Sequence, residues 1–402
     1  MTIYIRNYAT LLRKISFTLG IIIIYCLGMK IPLALVSFTG QLQLELLSWA
    51  SYLSAGNVKV ARLFSLGLGP WISTMIIWRA LLTIKSLYLE KQPKVKTDRM
   101  QLAITFVIAV VQAVGLLYLS GGRTYDWYIN LIAGLILIAG AYLLIWLGNL
   151  NTMYGIGGMT VLILAGMIQN INGQLNGYLR IVTELKIETL LYYVIGFVLL
   201  LVLIILFDTL EVQLAVQRVL STDTFTKESY IALKLNTAGG MAIMYAMTLF
   251  ALPQYLLRAL AAWFNLPELQ NIAIQLNLNT TLGISVYCVS LFLLTIGFTF
   301  FMVDPEQLTE ALRNSGDYFA NIMPGRQTYR YLHRILLKLA LVSGVMIVLL
   351  AGCPLYLVVQ HPNLVQVAML PGILLVFVSM ISAIRDQLKT EYLTNKYRSL
   401  FK

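Results

Sequence analysis

Charged side chains are scarce in this sequence. Asp, Glu, Lys and Arg make up 11% of the 402 residues, against about 25% in an average soluble domain. A soluble fold of this length buries a large core but needs more charge than this on its exterior. The low charge therefore excludes an ordinary globular enzyme, a disordered chain and a coiled coil, and it favours a protein that crosses a membrane several times.

Cysteine and histidine are also rare. The three cysteines, Cys26, Cys288 and Cys353, lie far apart in apolar stretches, and neither His333 nor His361 is near one of them in sequence. This spacing predicts neither a disulfide framework nor a metal site, and the sequence has no phosphate-binding loop of the Gly-x4-Gly-Lys-Ser/Thr type. We expect no metal and no other cofactor, and no ATP hydrolysis by this chain.

What the sequence has in abundance is hydrophobic residues, at 59%. Ten apolar stretches suit membrane-spanning helices, each of which needs about 20 residues to cross about 30 Å of hydrocarbon. Continuous runs favour helices over the alternating strands of a barrel, so the sequence predicts a single all-α membrane domain over residues 1–402. The predicted spans, of which the fifth is the shortest, are Ile15–Met29, Leu66–Ile84, Met100–Leu119, Tyr128–Leu150, Gly158–Ile168, Leu190–Phe207, Gly239–Leu257, Thr281–Val303, Leu339–Val359 and Leu364–Ile384.

The basic residues predict how the chain is oriented. The formal net charge is +12, and 22 of the 29 Lys and Arg residues fall on one predicted side: at the two termini, in alternate connections between spans and, for Arg79, towards the end of the second span. Because basic residues concentrate on the cytoplasmic side of membrane proteins, both termini are predicted to lie in the cytoplasm. The positive charge is then explained by anionic lipid and membrane topology, and we expect no nucleic acid partner.

Three connections are longer than a turn requires. Residues 208–236 and 304–338 are both predicted to face the cytoplasm, and long connections are often functional, although a solvated linker explains the first equally well. The second contains a Pro324-Gly325 turn and then Arg326, Arg330 and Arg334, whose spacing of four predicts one basic helix face. A third segment, Leu42–Leu53, is apolar but too short to span, which is typical of a re-entrant helix.

Four groups of residues resemble the SecY family, the channel subunit of the general protein translocase. They occur in the same order as in that family and are accompanied by ten predicted spans. They are Phe64–Ser73; Trp146–Asn149 with Tyr154–Gly158 and Leu164–Gly166; Leu233–Gly239; and Asn314–Gly316 with Pro324–Thr328.

The resemblance implies a clam-shell of two five-helix halves, residues 1–170 and 171–402, related by an inverted pseudo-twofold axis. It assigns residues 42–55 to a plug on the outer side, and it implies an aqueous path for unfolded polypeptide with a lateral gate towards lipid. Polar gate positions match Gln112 and Asn236. Positions of the apolar pore ring match Ile72, Ile76, Met159, Ile163, Met244 and Val376.

Departures from the family pattern point to its accessory branch in Gram-positive cocci. One is Met323, where the family usually has an Arg before the Pro-Gly of the long loop. The resemblance then implies a plasma membrane channel that exports serine-rich glycoproteins. The implied partners are a dedicated SecA-type motor ATPase, a small SecE-like membrane subunit and further accessory Sec proteins. The motor would dock on the cytoplasmic loops, where Arg326, Arg330 and Arg334 are the candidate contacts and anionic lipid is the competing explanation.

Three alternatives stay open at this point. A housekeeping SecY channel differs only in its cargo and motor. A secondary transporter would need an ion-binding carboxylate or base within the membrane, and an intramembrane enzyme would need a base near its reactive group. Neither histidine falls inside a predicted span, so the sequence favours a channel.

Overall fold

The computed structural model of the chain is mostly helical. It describes residues 2–33, 50–51, 53–56, 62–83, 93–119, 126–183, 187–218, 230–264, 268, 272, 275–278, 280–360 and 365–397. A helix overlaps each predicted span in order. These helices are α1 (Thr2–Gly28), α2 (Gly69–Thr83), α3 (Lys94–Leu119), α4 (Trp127–Tyr154), α5 (Gly158–Thr183), α6 (Ile187–Thr209), α7 (Met241–Phe264), α8 (Thr281–Met302), α10 (Arg326–Ile347) and α12 (Val365–Tyr397).

Six helical segments within the described residues are long and apolar enough to cross a membrane. They are Leu11–Gly28, Lys94–Leu117, Trp127–Tyr154, Thr281–Ser315, Arg326–Gln360 and Val367–Thr394. Three shorter apolar helical segments, Gly158–Asn170, Val194–Thr209 and Met241–Gln254, lie at the fifth, sixth and seventh predicted spans. The chain is therefore a multi-pass membrane protein.

The prediction of an all-α fold is wrong in one region, because four strands form two small antiparallel sheets. Strand β1 (Glu211–Ala215) pairs with β3 (Tyr230–Lys234), and β2 (Gln217–Arg218) pairs with β4 (Asp317–Tyr318). The register of the first pair runs from Glu211 opposite Lys234 to Ala215 opposite Tyr230. Only one residue in each strand of that pair, Leu214 or Leu233, is buried. With one buried position in each strand, the sequence lacks the alternation of apolar and polar residues that predicts a strand.

The strands pack with neighbouring helices into what we call the loop module: β1–β4, α9 (Pro305–Ser315) and the first turns of α10. Its core contains apolar residues from β1, β3, α9 and α10, together with one residue just before β2 and one just after β4. The residues are Leu214, Val216, Leu233, Leu312, Phe319, Leu332, Leu336 and Leu339. The two predicted cytoplasmic loops therefore fold together, and the interpretation of the first as a solvated linker is wrong for its described residues.

The ninth predicted span is helical but not regular. Helix α10 passes into a π-helical turn at Val348–Gly352, a 3-10 turn at Cys353–Leu355 and a short helix, α11 (Tyr356–Gln360). Pro354 explains the irregularity, because proline has no N–H and its ring clashes with the carbonyl four residues earlier. The Cys353 N–H accordingly donates to the Val348 carbonyl, five residues back.

By packing, the chain divides into two compact units. The first comprises Met1–Arg180, Met244–Gly283 and Met380–Lys402, and the second comprises Ile181–Ile243 and Ile284–Ser379. The loop module belongs to the second unit. In the first unit, α3 and α4 pack through small and apolar residues that include Ala109, Ala113, Leu137 and Ala141. Small side chains of this kind allow membrane helices to approach closely.

The turn between α4 and α5 is organised around a buried amide, Asn151. Its Nδ2 donates to the Ile156 carbonyl (3.0 Å) and to the Gly158 carbonyl (2.9 Å), and its Oδ1 accepts from the Thr18 hydroxyl of α1 (2.9 Å). The same Thr18 oxygen accepts from the Ile156 N–H. The Asn151 side chain therefore provides hydrogen-bond partners for two carbonyls of the turn and links the turn to α1. Buried polar groups generally need such partners.

We expect Asn151→Ala to destabilise the first unit. The substitution removes two hydrogen bonds to buried carbonyls and the bond that Asn151 Oδ1 accepts from Thr18, whose hydroxyl keeps the Lys14 carbonyl as a partner. Loss of these buried bonds costs about 2–3 kcal/mol. The thermal unfolding midpoint in detergent should fall clearly below that of the wild type. Asn149→Ala is the matched control, because Asn149 lies two residues away on the same helix and is exposed. Equal midpoints for the two variants would show that the Asn151 bonds contribute nothing.

Candidate functional site

The residues matched to the pore ring lie on four helices. Ile72 and Ile76 of α2 are 3% and 9% exposed, and Ile163 of α5, Met244 of α7 and Val376 of α12 are buried as well. Five of the six are therefore buried apolar residues. The assignment of the set to one ring stays a prediction.

The sixth residue, Met159, is half-buried and packs against α4. A Cβ placed on Gly148 would lie 2.6 Å from its Cγ, so this side chain fills the space above that glycine. Met159 therefore has a close neighbour on α4 in this structure.

Helix α2 begins at Gly69, within the first group of residues that resembles SecY. The hydroxyls of Ser73 and Thr74 donate to the carbonyls of Gly69 (3.0 Å) and Pro70 (2.8 Å), so both are satisfied within the helix. The Ile72 N–H donates to the Leu68 carbonyl (3.0 Å). The backbone of Ile72 is therefore hydrogen-bonded to Leu68, the residue just before the helix.

The predicted plug is described only in part. Residues 42–49 lie outside the described residues, whereas Ala50, Ser51, Leu53, Ser54 and Ala55 are all at most 6% exposed. The first three are helical, and the last two form a turn. The described residues of this segment are therefore buried within the first unit.

The turn that ends this segment has an unusual set of hydrogen bonds. The Ser54 carbonyl accepts from the Leu68 N–H (2.6 Å), the Ala55 carbonyl from the Tyr25 hydroxyl (2.9 Å) and the Gly56 carbonyl from Asn170 Nδ2 (2.9 Å). Three successive carbonyls are thus satisfied by three different parts of the first unit. Sequence reasoning did not single out Tyr25 or Asn170.

A small polar cavity lies beside this turn. Its volume is about 20 Å³, enough for about one water molecule. Three serines and two further polar side chains contribute to its wall, together with residues of α2, α3 and α7. The lining residues are Ala50, Ser51, Ser54, Ser65, Leu66, Gly69, Gln112, Leu116, Thr248 and Ala251.

The two amides matched to the lateral gate are both buried. Gln112 on α3 is 6% exposed, and its Nε2 donates to the Ser73 hydroxyl of α2 at 3.4 Å. Asn236, just before α7, is 3% exposed, and its Nδ2 donates to Asp208 Oδ1 at the end of α6 (3.2 Å). Each amide therefore bonds to a neighbouring helix end or helix face. Sequence reasoning did not identify the carboxylate partner Asp208, although an acid at the end of an apolar run was a visible signal.

The basic face predicted after the Pro-Gly turn is present. Helix α10 begins at Arg326, and Arg326, Arg330 and Arg334 are all exposed on it, with Lys338 one further turn along. Thr328, Leu332 and Leu336 on the opposite face are buried. The helix is therefore fixed by its apolar face on the loop module and presents its cations to the surroundings.

Met323 lies in the turn before this face, and its side chain is 71% exposed. Its N–H donates to Gln327 Oε1 (3.3 Å), and its carbonyl accepts from the Thr328 hydroxyl (3.0 Å). Two side chains from the first turn of α10 therefore bond to the backbone of Met323. The exposed Met323 side chain is an apolar group close in sequence to Arg326.

Comparisons with known proteins identify the family. The family model described as SecY matches residues 62–384. The chain is 33% identical to the accessory Sec system protein translocase subunit SecY2 of Leuconostoc gelidum subsp. gasicomitatum, over 99% of this chain and 98% of that protein. It is 34% identical to the protein of the same name from Streptococcus sanguinis, over 97% of this chain and 98% of that protein.

The fold is also similar to a solved structure described as the structure of a protein conducting channel. The TM-score is 0.72, with 96% of this chain and 93% of the other covered at 17% identity. At that identity the likeness concerns the fold. The family model spans most of the chain, and the relatives match over nearly their whole length. The chain therefore belongs to the SecY family.

Proposed function

We propose that this protein is the protein-conducting channel of an accessory Sec translocase in a bacterial plasma membrane. The observation that carries the proposal is the similarity, over nearly the full length, to proteins named accessory Sec system translocase subunit SecY2. The apolar, multi-pass character of the chain and the fold likeness to a protein conducting channel support it. The channel would perform no chemistry, and its cargo would be serine-rich glycoproteins.

The proposed architecture has ten membrane spans in two five-helix halves, residues 1–170 and 171–402, with both termini in the cytoplasm. The helices that overlap the ten apolar stretches support the number of spans. The distribution of Lys and Arg supports the orientation. In this orientation the loop module faces the cytoplasm, and the turn Ser54–Gly56 lies towards the outer side.

In the proposed resting state, the six ring residues form an apolar constriction in the pore. Apolar side chains at a constriction exclude water and ions by dewetting. Burial of Ile72, Ile76, Ile163, Met244 and Val376 supports a dry constriction. Gln112 and Asn236 would act at the lateral gate, where weak interhelical bonds of about 1–2 kcal/mol can be displaced by an entering signal helix.

The loop module is the proposed docking surface for a SecA-type motor ATPase. A motor that pushes polypeptide needs a firm contact on the channel, and the module has its own apolar core beneath an exposed face of Arg326, Arg330 and Arg334. A small SecE-like helical subunit and further accessory Sec proteins would complete the complex. The proposal of these partners rests on the family resemblance, and the relatives' printed names support only that the chain is one subunit of an accessory Sec translocase.

Reconstitution tests the function directly. Proteoliposomes that contain the chain and its SecE-like subunit should export a preprotein into the lumen when the motor and ATP are added. The matched control replaces ATP with a non-hydrolysable analogue. Counter-flow of small solutes without motor-dependent export would contradict the proposal, because it is the behaviour of a secondary transporter.

A further inference from the structure

The irregular segment after α10, residues 348–355, packs closely against α8. Just before this segment, a Cβ on Gly344 would lie 2.8 Å from Phe292 Cδ2 of α8. Within it, a Cβ on Gly352 would lie 2.7 Å from Cys288 Sγ and 3.8 Å from Cys288 Cβ. Two glycines therefore allow α8 to approach closely, and the Cys288 thiol lies against the backbone position that precedes Cys353.

A hydrogen bond fixes the register of the two segments beyond this contact. The hydroxyls of Ser285 on α8 and Tyr356 on α11 are 3.0 Å apart, and the order of the contacts shows that the segments are antiparallel. One helical turn inward is about three residues forward on one segment and three back on the other. That step leads from Ser285 to Cys288 and from Tyr356 to Cys353, and the two thiols are close enough to interact electrostatically.

The separation of the backbones at this place suits a disulfide. The Cβ atoms of bonded cysteines are about 3.5–4.5 Å apart, and a Cβ on Gly352 would already be 3.8 Å from the Cys288 Cβ. Cys353 is the next residue, and its N–H donates to the Val348 carbonyl in a π-type bond at the start of a 3-10 turn. A small adjustment of this irregular backbone brings the Cys353 Cβ into the same range.

Both cysteines are free and within reach of a small oxidant. Cys353 is exposed and Cys288 is half-buried. Cys288 is seven residues from the first residue of α8, and Cys353 is seven residues from the last residue of α11, so each is about 10 Å from the end of its helix that lies away from the loop module. In the proposed orientation this is the outer part of the membrane, which small uncharged hydrogen peroxide enters from outside.

We infer that Cys288 and Cys353 form a redox-sensitive pair, which hydrogen peroxide converts into a disulfide that joins α8 to the irregular segment and slows protein export. Formation of the bond does not depend on the proposed function, whereas its effect on export rests on that function. The disulfide would hold the chain at the place where the regular bonding of α10 ends. The end of the ninth span could then no longer bend away from α8.

The chemistry needs one molecule of peroxide for each disulfide. The exposed Cys353 thiol attacks one peroxide oxygen, which gives a sulfenic acid and releases the other oxygen as water. The Cys288 sulfur then attacks the sulfenic sulfur, and the hydroxyl group leaves with the Cys288 proton as a second water. Two thiols are oxidised to one disulfide, and the peroxide is reduced to two waters.

The bond is tested on purified channel in proteoliposomes. The sample is treated with hydrogen peroxide, the oxidant is removed with catalase, and free thiols are counted. The wild type should lose two of its three thiols and should still migrate as a single chain on a non-reducing gel. Peptide mapping should show Cys288 joined to Cys353, and a wild type in which these two residues are not joined overturns the inference.

The third cysteine provides the matched control. Cys26 lies on α1 in the first compact unit, so Cys26→Ser should form the cross-link as the wild type does. Cys288→Ser and Cys353→Ser should each form no disulfide within the chain. If Cys288→Ser fails to fold, Cys353→Ser alone decides, because Cys353 is exposed.

Motor-driven export is then measured on the same preparations, with the motor added after the peroxide has been removed. The oxidised wild type and Cys26→Ser should lose export activity, and a thiol reductant should restore it. Cys353→Ser should export equally well before and after treatment. Unchanged export by the cross-linked wild type overturns the inference. A reduced wild type that exports no preprotein would instead contradict the proposed function while the disulfide is still detected, so the two failures are distinguishable.

Discussion

Replacing Ile72 and Ile76 together with serine is expected to make the resting channel leak ions. Both side chains are buried on one face of α2, because a spacing of four places residues on the same side of a helix. Hydroxyl groups at a narrow constriction allow water to enter, and the ion conductance should rise by at least an order of magnitude. The measurement is the current across a planar bilayer that contains purified channel without motor or substrate.

The control for the pore variant is Ile23→Ser with Ile24→Ser. These two isoleucines lie on α1 and are 60% and 50% exposed, so the chemical change is the same outside the proposed pore. The control should conduct no more than the wild type. A pore variant that is as tight as the wild type would show that Ile72 and Ile76 do not form the constriction.

Reversing the charge of Arg326, Arg330 and Arg334 to Glu should abolish binding of the motor. The three arginines are exposed on α10 and are not among the residues of the module's apolar core. The variant should therefore insert and fold normally. Loss and reversal of three contacts at a charged interface should weaken binding by at least about 100-fold. Co-purification with the cognate SecA-type ATPase in neutral-lipid nanodiscs is the measurement, since neutral lipid removes the contribution of anionic headgroups.

A second triple reversal serves as the control for the motor surface. Lys94, Lys96 and Arg99 are exposed at the start of α3, on the same predicted side of the membrane. Changing these three to Glu alters the net charge equally and should leave motor binding intact. Undiminished binding by the α10 variant would assign its arginines to the lipid surface, and equal loss in both variants would indicate an effect of net charge alone.

The sequence predicted where the apolar helices lie, because the bilayer imposes a simple requirement. A long apolar run has to form a helix in lipid, where unpaired backbone groups are costly, and a described helix overlaps every such run. The basic face of α10 was predicted for a similar reason. Its spacing of four is a local pattern that does not depend on distant residues.

What the sequence did not predict depends on pairs of residues far apart in the chain. Strand β1 is completed by β3, and β2 by β4, which lies about a hundred residues further on. The partners of the turn Ser54–Gly56 are similarly distant, with Tyr25 some 30 residues before it and Asn170 114 residues after Gly56. A polar group within an apolar run, as at Tyr25, was the only local signal. The sequence alone could not show which carbonyl it meets.

The structure of α10 has a mechanical consequence. Its 22 residues form a regular helix from Arg326 to Ile347, a stiff rod of about 33 Å. A load applied at the exposed arginines would travel along the rod with little bending. At Val348–Gly352 the regular bonding ends, and such irregular turns are where helices bend. The π turn is therefore the point at which a load on α10 would bend the helix before it reached Tyr356–Gln360.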